Sequence, residues 1–359
     1  MEIQEIREYE SFLNLETEWN SLLSMTTEDT VFLRHEWFRC WWNAYGKEKE
    51  MLILLAREGE KLIGIAPLMK VSAKIRNFSV SQIQFIENKD SPICDFIIPD
   101  RKEEVLEEIL KNISKLNSWD TISFGKIPRT SKNYLALNQV LRQKHKRFKL
   151  DILSKIPFLS IHSTWSEFYS KKPRHFKKEI NYHANKIKEL GKISVVENTS
   201  FSEKLFSDLL GVTEKSWKFE KGVAIDSDEE TKNFFYNLTR VAAEKGWLSL
   251  WMLNSENKPV AMEYNLRYTG KVFALRGDYD ERYQRFSPGN FLSFNMLKSY
   301  FSDNISIYEL GPGFSSYKTQ WANDVYETYS FTLFNKNVYS LLLSFVFLDI
   351  IPFIRKFRK

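Results

Sequence analysis

Apolar and polar positions along this chain fall into two successive series of elements with the same order. In the first series, Ile3–Arg7 reads as a strand, and Glu10–Leu23 and His35–Tyr45 carry helical spacing. Met51–Arg57 and Lys61–Val71 read as strands around the turn Glu58-Gly59-Glu60, and Ile93–Ile98 as a third strand. Arg101–Leu116 sets Val105, Leu106, Ile109, Leu110, Ile113 and Leu116 on one helix face. Thr121–Phe124 then reads as a strand, Lys132–Lys144 as a helix and Phe148–Leu153 as a strand. The second series opens with the strand Ile193–Glu197 and the helices Ser202–Trp217 and Asp228–Lys245. Strands follow at Leu248–Leu253, Val260–Tyr268 and Lys271–Tyr279, then a helix opening at Ser287. The strand Ile305–Leu310, a short helix or turn at Ser315–Gln320 and the strand Tyr326–Phe334 complete it. The repeated order predicts an α/β (α+β) protein of tandem domains, each a mixed, mostly antiparallel sheet flanked by helices. The expected boundaries are 1–154, 155–335 and a C-terminal apolar and basic helical tail, 336–359.

A chain of 359 residues is long enough for two such domains with their own cores. Its 28 Phe, 16 Tyr and 10 Trp suit large cores or grooves. The net charge of +6 favours anionic partners without requiring them. Cys40 and Cys94 are far apart and form no CxxC pair, which fits buried thiols in a reducing compartment. Met1–Asn20 has no signal-peptide apolar run, so a cytoplasmic protein is expected. No clean apolar run reaches the roughly eighteen residues of a spanning helix. The five histidines show no ligand spacing with Cys or Asp, so no metal is expected, and no G-x-S-x-G elbow is present.

The segment Arg282-Tyr283-Gln284-Arg285-Phe286-Ser287-Pro288-Gly289-Asn290-Phe291 joins a strand to a helix. Ser287 suits an N-cap and Pro288 the first helical position. Gly289 lets backbone approach a ligand. The free N–H groups of Gly289, Asn290 and Phe291, with Arg282 and Arg285 upstream, make a candidate phosphate seat. The alternative is an ordinary surface helix start. Alternation along Val260–Tyr268 puts Ala261, Glu263, Asn265 and Arg267 on one face. A carboxylate inside a central strand must be paired or used. Glu263 is therefore the leading general-base candidate, with a salt bridge to Arg267 or Arg276 as the alternative. Asp278 and Asp280 close the next strand and either orient an acceptor or cap a turn. Trp217 shares a helix face with Phe206, Leu210 and Thr213, so core packing is the first reading and acceptor stacking the second.

The element order is that of the GNAT acyltransferase fold, met twice. The second half resembles the acetyltransferase domain of the CelD/BcsL-like (BioF2-like) group. The resemblance rests on Lys215-Ser216-Trp217-Lys218, the strand pair Trp247–Leu253 and Pro259–Tyr268, and Arg276-Gly277-Asp278-Tyr279-Asp280. It continues through Ser287-Pro288-Gly289, Glu309-Leu310-Gly311-Pro312-Gly313 and Tyr317-Lys318-Thr319-Gln320-Trp321. In the first half Phe32-Leu33-Arg34-His35-Glu36-Trp37 and Trp41-Trp42 extend it, so that it covers roughly residues 30 to 335. It implies acetyl-CoA or another acyl-CoA as co-substrate, with pyrophosphate at the helix start after the fourth strand. In the first half that position reads Ile98-Pro99-Asp100-Arg101-Lys102-Glu103-Glu104, acidic and without glycine. The cofactor is therefore expected on the second half, at Arg282, Arg285, Ser287, Gly289 and Asn290, the first half being a degenerate copy that shapes the acceptor groove. Tyr317 and Lys318 follow the glycine turn Gly311-Pro312-Gly313, which could bring them to the open end of the sheet, Tyr317 to protonate the departing thiolate and Lys318 to hold a phosphate or carboxylate of the acceptor; plain solvent exposure is the alternative, which the resemblance disfavours.

By the same resemblance the acceptor is a small molecule or glycan, such as an intermediate of polysaccharide biosynthesis, and no DNA is expected. The tandem layout is also similar to the FemABX aminoacyltransferases, whose donor is aminoacyl-tRNA. A non-catalytic binding protein that kept the fold is the third reading. The segment Lys171–Lys192 is basic, with Phe176, Ile180, Ala184 and Ile187 in an apolar stripe. It reads as a docked helix with a solvated basic face, or as a surface for tRNA, an anionic polymer or a membrane. The tail, apolar over Leu341–Ile351 and ending Arg355-Lys356-Phe357-Arg358-Lys359, is expected to pack on the domain with its basic end exposed. Peripheral contact with the inner face of a membrane is its alternative.

Overall fold

The computed structural model describes residues 1–116, 118–144 and 147–356. Their strands, in chain order, are β1 (Glu2–Ile6), β2 (Glu50–Glu58), β3 (Lys61–Ile75), β4 (Phe78–Phe85), β5 (Thr121–Pro128) and β6 (Lys149–Ser160). They continue as β7 (Ile193–Asn198), β8 (Leu248–Ser255), β9 (Lys258–Tyr268), β10 (Lys271–Tyr279), β11 (Ile307–Glu309) and β12 (Asp324–Phe334). The chain divides into two units, Met1–Lys155 with Tyr326–Lys359, and Ile156–Val325.

In the first unit the neighbours are β1-β2-β3-β4-β5-β12. All pairs are antiparallel except β4–β5. A parallel pair needs a crossover, and the helix Lys102–Lys115 supplies it. Its predicted stripe, Val105, Leu106, Ile109, Leu110 and Ile113, is buried. Phe85, Phe96 and Phe124 meet one another at ring distances of 5.0 to 5.4 Å in the same core. One expectation is corrected here. Ile93–Ile98 makes only an isolated bridge from Ile97 to Ile65, and the fourth strand is Phe78–Phe85 instead. A buried apolar run of this length looks the same whether it is a strand or a packed loop.

The second unit repeats the pairing order as β7-β8-β9-β10-β11-β6. Only β10–β11 is parallel, and the helix Pro288–Tyr300 lies between them in sequence. Between β7 and β8, Ser202 and Asp228 cap the helices Glu203–Thr213 and Glu229–Glu244 by accepting from Leu205 N and Thr231 N. The first of these ends at Thr213, short of the predicted Trp217, and a separate turn runs from Trp217 to Glu220. Within the basic segment, the helix Arg174–Lys186 buries Phe176 and Ile180 and leaves Arg174 and Lys178 exposed.

β6 and β12 are each divided between the two units. β6 follows β5 in the chain but pairs with β11, whereas β12 pairs with β5. The final strand, read from sequence as part of 155–335, thus lies with the first unit from Tyr326 onward. Its buried residues Phe331 and Leu333 join the core of Phe124 and Tyr134. Alternation reports that a strand has a buried face, and it does not report which sheet edge the strand completes.

The tail forms the helix Val338–Phe345, a π turn at Val346–Ile350 and a last helical stretch, Ile351–Lys356. Asn337 caps it by accepting from Ser340 N. Leu343 and Phe347 are buried with Val80, against Phe78 and Phe334. The expected exposure of the basic end, Arg355 to Lys359, falls on side chains outside the described residues. No helix among the described residues is long and apolar enough to cross a membrane. Since Leu343 is fully buried, Leu343→Ala should lower stability by about 2–5 kcal/mol. Denaturant unfolding of the full chain measures this, and a loss under about 0.5 kcal/mol would show that the tail is not packed there.

Candidate functional site

All residues of β9 from Val260 to Leu266 are buried, and Glu263 stands in the middle of that run. Directly across on β10 is Gly277, and on the other side, on β8, Trp251. The glycine makes room for the acid. A Cβ on residue 277 would lie 2.6 Å from Glu263 Oε2 and 2.9 Å from its Cδ. The salt bridge to Arg267 is not formed, because Arg267 pairs with Glu197 at 2.8 Å and Asp303 at 2.9 Å. Arg276 lies over the Phe235 ring.

Hydroxyl groups meet the Glu263 carboxylate instead. Ser293 Oγ donates to Oε1 at 3.0 Å, and Tyr317 OH donates to the same oxygen at 3.3 Å. Ser293 and Tyr317 also hydrogen-bond to each other. Ser293 can alternatively donate to the Gly289 carbonyl at 2.9 Å, one turn back along its helix. A single hydroxyl proton cannot serve both acceptors at once. The triangle is thus able to hold its protons in more than one arrangement. Burial pushes the Glu263 carboxyl up to about 7, against the pull of Ser293, Lys218 and Tyr317. Burial and the nearby Glu263 charge push the Tyr317 phenol well above its ordinary value, so it remains a neutral donor.

A register shift in β10 between Ala274 and Arg276 lies beside this cluster. The parallel ladder to β11 ends at Phe273 and Glu309, while β10 runs on to Tyr279. Bulges of this kind re-aim a strand and end its pairing. After β11 the chain turns at Gly311, whose φ of +74° suits glycine and where a Cβ would stand 3.0 Å from the Ala274 carbonyl oxygen. The turn leads to the helix Ser316–Trp321, which carries Tyr317 to Glu263. Lys318 folds back and donates to the carbonyls of Gly311 at 3.1 Å and Pro312 at 2.6 Å. Burial lowers its ammonium to about 8, against the pull of Glu263.

The other expected residues take different roles. Asp278 is buried and forms an ion pair with Lys218 at 2.9 Å. Burial raises its carboxyl, against Lys218 and Arg276. Asp280 accepts from the backbone N of Arg282 at 3.1 Å and caps the turn Glu281–Phe286. Its side chain also holds that of Arg282 at 2.6 Å, so the charge expected at the phosphate seat is already partnered. Arg285 lies 4.6 Å from the Phe286 ring. Ser287 is not a side-chain cap. It adopts a left-handed conformation, φ 50° and ψ 52°, and its hydroxyl makes no capping bond. Gly289 remains the open element of the seat, since a Cβ there would meet nothing closer than Tyr279 Cδ1 at 3.7 Å. Asn290 follows it in the first turn of the helix. Trp217 is 39 % exposed, which removes the core-packing reading. Its helix was expected to continue to this position and stops earlier.

Three participants were missed in the sequence. Ser293 sits four residues after Gly289 in the same helix, and that spacing was its one visible signal. Gly277 signals its role only once its register opposite Glu263 is known. Lys218 lies in the motif Lys215-Ser216-Trp217-Lys218, but nothing in that motif indicates its pairing with Asp278. Among the described residues no group of three or more His, Cys, Asp or Glu is placed to hold a metal ion.

Residues 174–319 match the model of an acetyltransferase (GNAT) domain, a span that contains Glu263, Gly277, Ser293 and Tyr317. No curated protein matches the chain. Among solved structures, FemX aligns over 96 % of this chain and 100 % of its own, with 11 % identity and a TM-score of 0.64. L-PGS from Bacillus licheniformis aligns over 96 % and 98 %, with 11 % identity and a TM-score of 0.54. A tandem GNAT protein from the clavulanic acid biosynthesis pathway aligns over 92 % and 98 %, with 8 % identity and a TM-score of 0.52. These likenesses are of fold. The chain has a GNAT-like fold, and its residues 174–319 match a GNAT-type acetyltransferase domain, a match that supports an acyltransferase.

Glu263 also links the site to stability. Its folded value, about 7, is above the ordinary 4.5, so the folded protein binds more protons between these values. Its stabilising contribution is full below about pH 4.5 and is lost as pH rises through about 7. Glu263→Gln should remove that part of the decline, so the stability gap between variant and wild type shifts in favour of the variant from pH 5 to pH 8. Urea unfolding at both pH values tests this, and a gap that does not change with pH would contradict the raised value. Gly277→Ala should displace the Glu263 carboxylate and cost about 1–3 kcal/mol; thermal melts and the same pH series read both effects.

Proposed function

We propose that this protein is an acyl-CoA-dependent N- or O-acyltransferase of the CelD/BcsL-like group. Its donor is acetyl-CoA or another acyl-CoA. Its acceptor is a sugar or an intermediate of polysaccharide biosynthesis, met in the cytoplasm. One observation carries the reading. A buried carboxyl near neutrality, Glu263, shares hydrogen bonds with Ser293 and Tyr317 inside the region that matches the GNAT domain. Ser293 belongs to the helix whose first turn holds Gly289 and Asn290. One helix therefore carries both the anion seat and, one turn on, a hydroxyl partner of the base.

In this reading the backbone N–H groups of Gly289 and Asn290 receive the donor's phosphates at the positive end of the helix. The bound donor supplies an activated acyl thioester. Glu263 takes the proton that the acceptor amine or hydroxyl loses, directly or through Ser293. Tyr317, held neutral, carries the proton that the departing sulfur needs. Lys318, lowered to about 8, follows Tyr317 on the same helix and favours an anionic group on the acceptor. Counted from the hairpin residue Lys61, the first unit has Ala66 where the second, counted from Lys258, has Glu263. This supports chemistry in the second unit.

A second reading, transfer from aminoacyl-tRNA, is favoured by the exposed cations Arg174, Lys178 and Lys188 and by no contact at the site itself. Calorimetry with acetyl-CoA should detect binding that Gly289→Glu weakens by roughly tenfold or more, since the carboxylate would repel phosphate. Acceptor-dependent thiol release should rise with pH through about 7, and Glu263→Gln should lose that limb together with about 10²–10⁴-fold in kcat. Binding of acetyl-CoA unaffected by Gly289→Glu would overturn the seat. Tight, salt-sensitive binding of aminoacyl-tRNA, lost in Arg174→Glu/Lys178→Glu/Lys188→Glu, would replace the donor.

A further inference from the structure

The C-terminal helix is apolar on two sides, and the fold covers one of them. Ser340, Leu343, Ser344 and Phe347 face inward and are buried. On the other side Val338, Leu341, Leu342, Phe345, Phe353 and Ile354 are 86, 56, 55, 54, 62 and 46 % exposed. Continuous α-helix would leave Phe353 roughly 80° round the axis from Phe345, at 3.6 residues per turn. The π turn Val346–Ile350 interrupts that rotation, and its extra residue returns Phe353 and Ile354 to the exposed side. An exposed apolar row of this length is unusual on a surface that only meets water.

Charge decides what covers it. The sequence from 338 to 359 holds a single acid, Asp349, and that side chain is paired with Arg147. Arg355, Lys356, Arg358 and Lys359 follow the row in sequence. A second copy of the same face would offer no free acid to this basic end. Anionic headgroups complement it, and the acyl boundary beneath them takes apolar side chains. We propose that the tail lies flat on an anionic lipid bilayer, with Val338 to Ile354 in the interface and the basic end among the headgroups. Leu343 and Phe347 keep it attached to the first unit meanwhile. Among the described residues no helix is long and apolar enough to cross the membrane. The surface is independent of the transferase reading, since none of its residues touches the Glu263 cluster.

Co-sedimentation of the full chain with phosphatidylcholine–phosphatidylglycerol vesicles, beside pure phosphatidylcholine vesicles, tests the proposal. Wild type should partition onto the anionic vesicles about tenfold or more better than Leu342→Glu/Phe345→Glu, and added salt should weaken it. Arg358→Ala/Lys359→Ala should lose the preference for phosphatidylglycerol. The melting temperature of the glutamate pair should match wild type, because both positions are exposed; if it falls, Leu342→Ser/Phe345→Ser takes its place. Equal partition of wild type and variant would overturn the proposal. So would a lipid-free dimer that the same substitutions convert to monomer without any wild-type vesicle binding, since a second copy would then be the occupant.

Discussion

Removing a carboxylate from water is expensive, and in the second unit a carboxylate lies in the middle of a buried strand. The surrounding features answer that expense locally. Gly277 leaves the volume that Glu263 fills, Ser293 and Tyr317 supply hydroxyl donors, and Lys218 adds a favourable charge. None of these partners is a direct ion pair. Desolvation therefore prevails and the group sits near neutrality, where it can exchange a proton. A bond from Arg267 would have locked it as an anion, but Glu197 and Asp303 hold that guanidinium elsewhere.

The backbone serves the same requirement. The bulge at Ala274–Arg276 ends the β10–β11 ladder, and the Gly311 turn passes close to the Ala274 carbonyl. That close passage delivers Tyr317 to the acid. The first unit shows the same architecture without the buried acid. It has the same strand order, and its helix start also follows a left-handed residue, Arg101 at φ 50°. There the arginine is spent on Glu104 and Glu58, and the strand position is Ala66. Two units with one pairing order thus differ at this position through a few side chains.

Much of this was legible in advance because its causes are local. Helical stripes such as Val105 to Ile113, hairpins such as β2–β3, and the acid at residue 263 all follow from periodicities within one element. The failures have causes that are not local. Ile93–Ile98 reads as a strand because it is apolar and buried, yet Phe78–Phe85 occupies the ladder. Ser287 has the chemistry of a cap, but the chain enters the helix through a left-handed conformation that turns the hydroxyl away. Arg282 looked available for a phosphate until Asp280, two residues upstream, turned back onto it.

Most of the order of elements, the duplicated layout, the acid inside the second-half strand at Glu263, and the apolar tail were determined by the sequence alone. Each depends on spacing along one segment, where neighbours are known from the periodicity of a helix or strand. Tertiary structure alone decided that β6 pairs with β11 and β12 with β5, because alternation within a strand does not specify its neighbour. It decided that Gly277 faces Glu263, and that Ser293 and Tyr317 meet it, since these contacts join residues far apart in the chain. It also decided the proton affinity of Glu263, because that depends on how much water the assembled fold removes from the carboxylate.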